Sequence, residues 1–426
     1  MKAEKSCPIT AILIGAGARG RTYARYALEH PEQLKIVGVA EPVDHLRDDF
    51  VKKHGIPKKH TYGSWEEVLK EEKFAEVALI CTQDTMHFEP TMAAIEKGYD
   101  ILLEKPISPI LEECDILARA AEEKGVKVMV CHVLRYTPFF LAIKNVIEQG
   151  EIGDVVSMVH NENVGFMHHA HSFVRGNWRR SAESSPMILA KSCHDVDIIQ
   201  WLIGKKCLKV SSFGSLKFFN KENCPKDATL RCIDGCPQDC AYDARKWYFP
   251  QGDNHELAKT WFAPVATGLL EPTHEEIEEV LKTGPYGRCV FQCDNDVVDH
   301  QVVNMEFEEG ITATFSMCAF THDINRTLRI MGTKGEIRGN MEDNTIVVYD
   351  FVKGIHREMN TEPVGGQVGH GGGDAGMMKS FCDYIKGNYT GNALSEIGIS
   401  AENHRIAFGA EESRLNGGEV VFLYLL

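Results

Sequence analysis

The sequence predicts an α/β protein with a doubly wound parallel sheet in its first 133 residues and an antiparallel sheet later in the chain. Two observations support this fold class. Along residues 9–132, short apolar runs alternate with segments of helical pattern, which is typical of parallel strands joined by crossover helices. Along residues 297–349, short alternating runs are separated by the turn pairs Glu309-Gly310 and Lys334-Gly335, which indicate an antiparallel sheet. A length of 426 residues is sufficient for two domains.

The first predicted unit is a strand, a glycine-rich turn and a helix. Residues 9–14 form an apolar run, a G-x-G-x-x-G turn follows, and residues 21–29 have a helical pattern. A second apolar run, residues 34–40, ends on an acidic residue. This arrangement is typical of a dinucleotide-binding βαβ unit, in which the glycines let the backbone approach the pyrophosphate and the helix N-terminus supplies N–H groups. The predicted cofactor contacts in this unit are Gly15, Gly17, Ala18, Arg19, Gly20 and Glu41.

The residue at the end of the second strand indicates which dinucleotide is bound. The Glu41 carboxylate can accept hydrogen bonds from the adenosine ribose hydroxyls, and its charge would repel a 2′-phosphate. Arg47 lies too far along the chain to reverse this preference. We therefore predict NAD, with NADP less favoured.

Three further strands complete the predicted parallel sheet. Ser64 and Glu67 fit a capping box ahead of a short helix. Strands are predicted over residues 77–81, 101–104 and 126–132, and helices over residues 88–98 and from Ser108-Pro109 to about Lys124, with the proline in the first helical position. Sheets of this kind bind ligands at the carboxyl ends of their strands. The side chains at that edge are those of Thr82, Gln83, Asp84, Glu104, Lys105 and His132.

Four features together resemble the Gfo/Idh/MocA oxidoreductases: the glycine triplet, the acidic end of the second strand, the T-x-x-x-x-H pattern from Thr82 to His87, and the tripeptide Glu104-Lys105-Pro106. The resemblance implies a Rossmann domain over residues 1–133. It also implies a C-terminal α/β domain over residues 134–426 with a large, mainly antiparallel open sheet. A sugar or cyclitol would lie between the domains, and the open sheet would form homodimer or homotetramer contacts.

The same resemblance assigns roles to individual residues. Lys105 would hydrogen-bond the reacting hydroxyl beside the nicotinamide. Pro106 would fix the bend of the chain there, often through a cis peptide bond. The cofactor contacts implied at this edge are Thr82, Gln83, His87, Glu104 and Lys105.

A second family signature, D-x-x-x-H followed by x-x-D, matches the segment "LAKSCHDVDIIQWL" only in part. His194 and Asp197 match, but Ala190 stands where the family has an aspartate, and Lys191 follows it. Helical spacing would place Lys191, His194 and Asp195 on one face, where we expect substrate contacts. Either His194 or Lys105 could serve as the base that takes the hydroxyl proton.

Five other positions are candidates for the site. Arg135, at the domain junction, is equally compatible with a cofactor contact and a surface linker. Trp178 and Arg179 lie in a loop that family members use on cofactor and sugar. Asn163 belongs to a predicted strand over residues 159–166, whose alternation would turn one face to substrate. His370, in "GHGGGD", resembles a segment of family members that act on glycosides, and is predicted to contact substrate.

A cysteine-bearing insertion is predicted at about residues 220–262, as in one bacterial branch of the family. Its cysteines, spaced C-x7-C-x3-C-x3-C, could bind one zinc ion tetrahedrally, and a loop without its own core would benefit from such a metal. The spacing is not that of paired C-x2-C knuckles, so free cysteines are the alternative. The predicted ligands are Cys224, Cys232, Cys236 and Cys240, with Cys289 and Cys293 in reserve.

Composition excludes some classes of function. A net charge of −15 argues against general nucleic-acid binding. No apolar run has the roughly 20 residues of a membrane helix, and the apolar N-terminal run leads into the glycine turn without a cleavage site. We therefore expect a cytoplasmic protein.

The predicted function is an NAD(H)-dependent oxidoreductase acting on a secondary alcohol of a sugar, glycoside or cyclitol. Two alternatives stay open. The "GHGGGD" segment and the missing aspartate favour an NAD-dependent glycosidase that oxidises its sugar transiently and eliminates the aglycone. The alanine at position 190 favours an NAD(H)-binding regulator without catalysis.

Overall fold

The N-terminal part of the chain forms a six-stranded parallel sheet. The computed structural model describes residues 7–362 and 370–425. The strand order is β3-β2-β1-β4-β5-β6, the order of a doubly wound dinucleotide-binding fold, and the predicted fold is confirmed. The strands are β1 (Ile9–Ile14), β2 (Leu34–Ala40), β3 (Thr61–Tyr62), β4 (Val77–Ile80), β5 (Asp100–Leu103) and β6 (Val128–Val130).

Helices connect these strands. They are α1 (Ala18–Glu29), α2 (Asp44–His54), α3 (Trp65–Lys70), α4 (Phe88–Glu96) and α5 (Leu111–Lys124). All but α2, which was not predicted, lie close to the predicted positions. Ser64 accepts a hydrogen bond from the Glu67 N–H and so caps α3 as predicted. The predicted start of α5 at Ser108-Pro109 is wrong. The Ser108 hydroxyl accepts from the Ile110 N–H, and this turn keeps Ile110 extended, so the helix begins at Leu111, two residues after Pro109.

The C-terminal part forms a nine-stranded sheet of order β14-β13-β12-β11-β7-β10-β9-β8-β15. Neighbouring strands are antiparallel except for the pair β7 and β10, which is parallel. The predicted large, mainly antiparallel sheet is therefore confirmed. The strands are β7 (Val155–Asn163), β8 (Cys207–Ser215), β9 (His300–Phe307), β10 (Thr312–Cys318), β11 (Asn325–Gly332), β12 (Gly335–Asn340), β13 (Thr345–Asp350), β14 (Ile355–Asn360) and β15 (Val421–Phe422).

Helices cover one face of this sheet and join it to the first. The longest, α15, packs on β8, α9 and α5, so it contacts both halves of the chain. The remaining helices are α6 (Pro138–Glu148), α7 (Phe166–His169), α8 (Met187–Ala190), α9 (Cys193–Ile203), α10 (Ala244–Trp247), α11 (His255–Leu257), α12 (Ala263–Thr267), α13 (His274–Thr283), α14 (Gly373–Ile385) and α15 (Ile397–Leu415), with π-helical turns at Ala170–Arg175 and Ala258–Phe262.

Residues 216–299, between β8 and β9, form a compact insertion around its own apolar core. We call this segment the insertion. Its buried side chains include Phe219, Tyr248, Phe262 and Leu281. The expectation of a loop without a core is therefore wrong: aromatic residues spread along the segment converge and bury one another. The division of the chain at residue 133 stays a prediction. Among the residues that the structure describes, no helix is both long and apolar enough to cross a membrane.

Candidate functional site

The glycine turn after β1 can accept a pyrophosphate. Gly15 has a φ of +90°, and a Cβ there would lie 2.6 Å from the carbonyl oxygen of Cys81. A Cβ on Gly20 would lie 2.1 Å from the Gly15 oxygen, so both positions require glycine. A Cβ on Gly17 would meet no atom within 4 Å. This open space lies beside Gly17 at the N-terminus of α1, where a phosphate group fits.

Glu41 braces the turn from the end of β2. Its carboxylate accepts from the Ala16 N–H at 2.7 Å and from the Val43 N–H at 2.9 Å. Arg47 lies closer than sequence spacing suggested, because its guanidinium donates to the Glu41 carbonyl at 2.7 Å. A carboxylate and a guanidinium therefore stand together where the adenosine ribose of a dinucleotide would be recognised.

Arg19 joins the two halves of the molecule. Its Nε donates to Glu104 Oε1 at 3.0 Å, and its Nη2 pairs with Asp374 at the start of α14. Tyr23 donates to the same Glu104 oxygen at 2.8 Å. The Glu104 carboxylate is thus 4% exposed and held by its neighbours, which makes it a support for the turn at Lys105.

Lys105 extends from the end of β5 to the second half of the chain. Its Nζ donates to the carbonyl oxygen of Ala190 at 2.8 Å, and its bond to Pro106 is cis, as the resemblance implies. Burial acts to lower the pKa of Lys105, but the nearby Cys193, Glu104 and Asp84 groups outweigh it and raise that pKa above its ordinary value. At the position where the family carries an aspartate, a backbone oxygen therefore holds this ammonium group.

His194, at the start of α9, lies in a group of three imidazoles. Its ring centroid is 5.9 Å from that of His132 and 5.7 Å from that of His370. Burial, followed by the charge of Lys105, lowers the pKa of His194 well below its ordinary value. His370 in turn lies 3.3 Å from Asp374. Within the described residues, the buried Nδ1 of His194 has no hydrogen-bond partner, so this nitrogen is available to a ligand.

Lys191 belongs to a buried network of charges. Its Nζ lies 3.4 Å from Glu162, whose carboxylate also pairs with Arg326 at 2.7 Å. Arg326 and His160 each lie 2.7 Å from Asp195. The prediction that Lys191 shares one helix with His194 and Asp195 is wrong. The helix is interrupted at Lys191 and Ser192, which lie between α8 and α9. Desolvation by burial lowers the pKa of Lys191.

Two family models match the chain. The NAD-binding Rossmann-fold model of the Gfo/Idh/MocA oxidoreductase family matches residues 9–132, and the model of its C-terminal alpha/beta domain matches residues 144–365. Together they account for more than half of the 426 residues. The chain belongs to the Gfo/Idh/MocA oxidoreductase family.

Relatives of this Gfo/Idh/MocA protein include two proteins of Bacillus subtilis (strain 168). YteT is 23% identical over 337 residues, which cover 75% of this chain and 74% of YteT. The scyllo-inositol 2-dehydrogenase (NAD(+)) is 26% identical over 211 residues, 48% of this chain and 56% of the dehydrogenase.

Solved structures share the fold at low identity. Levoglucosan dehydrogenase, in complex with NADH and levoglucosan, matches with a TM-score of 0.70 at 17% identity, covering 98% of this chain and 99% of the other. The inositol dehydrogenase homologue from Azotobacter vinelandii, complexed with NAD+, matches with a TM-score of 0.70 at 15% identity and covers 98% of each chain. These likenesses establish the fold of the family member described here.

The other predicted contact residues of this family member lie in different surroundings. Trp178 Nε1 donates to Asp84 at 3.3 Å, at the end of β4, while the Arg179 guanidinium pairs with Asp294 of the insertion at 2.9 Å. Asn163 ends β7 and is half-buried. Thr82 donates through its hydroxyl to the carbonyl of Met86 at 2.9 Å.

Three predicted ligand residues are buried and paired within the protein. Arg135 is 1% exposed and forms two hydrogen bonds of 2.7 Å with Asp197, so its predicted contact with the cofactor is not supported. Asp195 is fully buried with its oxygens paired to His160 and Arg326, so its predicted contact with substrate is not supported. His87 is 1% exposed and lies 2.6 Å from the carbonyl of Pro106, which braces the Lys105 turn.

The predicted zinc site is not supported. Within residues 7–362 and 370–425, no group of three or more His, Cys, Asp or Glu side chains could hold a metal ion. Cys232, Cys236, Cys240 and Cys289 instead line a small cavity beside the buried Arg175. Cys224 packs against the core of the insertion. Three of the four predicted ligands therefore lie around one small cavity beside a guanidinium group, and all four thiols are free.

The roles of the acidic residues that support the site were not predicted from the sequence, although Asp84 was placed at the ligand-binding edge. Asp84 accepts from Ser184 at 3.1 Å and Ser185 at 2.8 Å, and so fixes the loop after Trp178. Glu162 and Asp374 hold Lys191 and His370. These carboxylates lie far in sequence from their partners. Sequence spacing therefore did not indicate these pairs, although a glutamate at a buried strand position is unusual.

Proposed function

We propose that the protein is an NAD(H)-dependent oxidoreductase that transfers hydride between the nicotinamide ring and a secondary alcohol of a sugar, glycoside or cyclitol. One observation carries the proposal. The Lys105 ammonium, which follows the end of β5, donates a hydrogen bond to the carbonyl of Ala190, just before the helix that carries His194. A cationic donor thereby lies close enough to a neutral imidazole for its charge to lower the pKa of that ring, and we propose that substrate binds in a cleft between them. An alcohol being oxidised requires such a pair, because its proton must leave as the hydride leaves.

The two groups are suited to different roles. The raised pKa of Lys105 keeps it protonated near neutral pH, so it donates a hydrogen bond to the alcohol oxygen. The lowered pKa of His194 keeps it neutral, so it can accept the proton. Lys191 orients the substrate from the other side, supported by Glu162. The division of roles follows from local charge and burial.

The cofactor fits the residues present. The open side of Gly17 would accommodate the pyrophosphate, and the Glu41 carboxylate, held by the Ala16 and Val43 N–H groups, would recognise the adenosine ribose. A bound nicotinamide would supply the hydride acceptor or donor. We propose NAD as the preferred form, because the Glu41 carboxylate opposes a 2′-phosphate.

The proposed substrate class is supported by the family and by the site. Relatives named for scyllo-inositol and levoglucosan act on compounds rich in secondary hydroxyls. The cleft here presents several hydrogen-bonding groups, Lys105, Lys191, His194 and His370. Such convergent polar groups suit a polyhydroxylated ligand.

A glycosidase is the second candidate, favoured by His370. This histidine has a φ of +45° and stands 5.7 Å from His194, ring to ring. With two imidazoles, one can remove a proton from the sugar while the other donates a proton to a departing aglycone. A simple dehydrogenase needs only one of them.

The deciding experiment is turnover of a panel of sugars, glycosides and cyclitols with NAD+, recorded both as NADH absorbance and as release of free sugar. Net NADH formation on at least one alcohol supports the oxidoreductase. Release of free sugar without net NADH supports the glycosidase. Binding of NAD(H) with neither product across the panel contradicts both and favours a regulator.

We also propose assembly into a homodimer or homotetramer through the nine-stranded sheet. Its outer face exposes apolar side chains, including Phe213 on β8 directly opposite Val302 on β9. A contiguous exposed patch of this kind suits an oligomer contact. Light scattering of wild type and Phe213→Glu tests it, and an unchanged mass would contradict it.

A further inference from the structure

A row of rings runs from the insertion to the edge of the parallel sheet. Trp261 packs edge-on against His168 with 4.7 Å between ring centroids. His168 lies 6.0 Å from Phe173, and Phe173 lies 6.1 Å from Trp178. Trp178 then donates to Asp84 at the end of β4. The insertion is thus connected by ring contacts to the edge where the nicotinamide would lie.

His168 stands between Trp261 and the proposed reacting centre. It follows the end of β7, the strand whose Glu162 pairs with Lys191. Burial, followed by the charge of Lys191, lowers the pKa of His168 well below its ordinary value, so the imidazole is neutral. The ring interacts with the backbone of Val164 on one side and with Trp261 on the other.

The segment that carries Trp261 contacts the parallel-sheet half of the molecule. One end of it, the carbonyl of Gly268, lies 2.8 Å from His45 Nε2 on α2 of the parallel-sheet half. Leu257 and Val265 are 43% and 37% exposed and lie four residues before and after Trp261. This spacing puts the three side chains on a similar side of the segment. Trp261 itself is partly exposed, although indole rings are largely buried in most proteins.

We propose that Trp261 and His168 form a second subsite, which binds a ring joined through a glycosidic bond to the sugar that reacts at Lys105. The ligand class is therefore a two-ring glycoside. An indole face with flanking aliphatic groups packs against the apolar face of a ring, and the imidazole hydrogen-bonds a hydroxyl or the glycosidic oxygen. Since His168 separates Trp261 from Lys191, the ring at Trp261 is the one that does not react. This proposal rests on the proposed function for the identity of the first ring.

The test is equilibrium binding of matched ligands to the protein with NADH. The probes are a panel of methyl glycosides, the corresponding phenyl glycosides and the corresponding disaccharides. We expect wild type to bind two-ring members about 10-fold more tightly than their methyl partners, the usual contribution of a well-packed aromatic contact. Tighter binding of phenyl members would identify an aryl group as the natural second ring, and tighter binding of disaccharides would identify a sugar.

Three variants locate the effect. Trp261→Ala should abolish the two-ring preference without changing affinity for methyl glycosides, and Trp261→Phe should retain most of it. Leu230→Ala removes an apolar side chain of the insertion that is 70% exposed and has no part in the row, and should behave as wild type. A wild-type protein without any two-ring preference, or a Trp261→Ala protein that weakens both classes equally, overturns the subsite.

The proposed function can fail separately. Preferential binding of two-ring ligands without any hydride transfer would contradict the oxidoreductase and the glycosidase while supporting the subsite. Turnover of one-ring alcohols without any two-ring preference would support the proposed function and contradict the subsite.

Discussion

The carboxyl edge of the parallel sheet and the insertion contribute to one cleft by different means. At the edge, charged groups that follow strands β4 and β5 meet partners from the second half, as Lys105 meets Ala190. In the insertion, by contrast, aromatic side chains from distant positions pack on one another, as Trp261 packs on His168. The edge supplies groups that hold protons and charge. The insertion supplies apolar surface.

This difference separates chemistry from selectivity. Groups that act on the reacting atoms must be placed to within a fraction of an ångström, which rigid strands and a buried ion network achieve. A surface that recognises the remainder of a substrate tolerates more variation and can be carried by an inserted segment. We therefore expect substitutions at the edge to change turnover, and substitutions in the insertion to change ligand preference or stability.

The largest expected effect is that of Lys105→Ala. Loss of the ammonium should lower kcat by about 10² to 10⁴, the usual contribution of a positioned acid–base group, while the affinity for NADH, measured by fluorescence titration, stays within a few-fold. Lys97→Ala is the matched control, because that lysine donates to the Glu71 carbonyl on the surface away from the cleft. Wild-type turnover in Lys105→Ala would remove Lys105 from the mechanism.

A second substitution at the edge tests cofactor choice. Glu41→Ala should weaken NAD binding by about 10- to 100-fold, because a charged hydrogen-bond partner of the ribose contributes about 1.5–3 kcal/mol. Binding of NADP should weaken less or improve, since Arg47 remains. Calorimetric titration with both dinucleotides measures the ratio, and an unchanged ratio would contradict the role of Glu41.

A substitution at Asp374 tests whether the second half of the chain contributes to the chemistry at the carboxyl edge of the parallel sheet. Asp374→Asn removes the partner of both Arg19 and His370, and we expect turnover to fall about 10-fold, within the range for a lost charged hydrogen bond. Because the Asp374 charge acts to raise the pKa of His370, the substitution should lower that pKa further. A glycosidase that uses His370 to protonate the departing aglycone would then lose activity on the alkaline side at lower pH, whereas a dehydrogenase without this role would show an unmoved alkaline limb.

The smallest expected effect concerns stability, and it arises at the insertion. Burial lowers the pKa of His171, which packs on Phe262 and Tyr286, to about 3. Since this pKa lies below the value of about 6.5 for the unfolded chain, the unfolded chain binds more protons than the folded protein at pH values between the two. The contribution of His171 is therefore present above about pH 6.5 and is lost as pH falls toward 3.

His171→Phe should reduce the loss of unfolding free energy between pH 7 and pH 5 by about 2 kcal/mol. Urea titrations at the two pH values measure it. The exposed His356, replaced by Asn, is the control. An unchanged pH dependence in His171→Phe would show that the insertion is not anchored through a neutral histidine.

The parallel sheet and its glycine turn were predictable because their determinants are local. A run of apolar residues, three glycines at fixed spacing and Glu41 specify β1, α1 and β2 with little reference to the rest of the chain. Lys105 and His194 were identified through a resemblance to motifs of similar local character. The start of α5 was misplaced because a single serine side chain, Ser108, competes with the helix for a backbone N–H.

The sequence by itself determined the parallel arrangement of the first sheet, the dinucleotide turn and the residue types that reach the cleft, because period and spacing act over short stretches of chain. Only the tertiary structure decided which of those residues remain available. It buried Arg135 and Asp195 in internal pairs, gave the Ala190 backbone the place of a missing carboxylate, and brought Trp261 to His168. Burial and charge pairing depend on contacts between distant segments, and no local pattern encodes them.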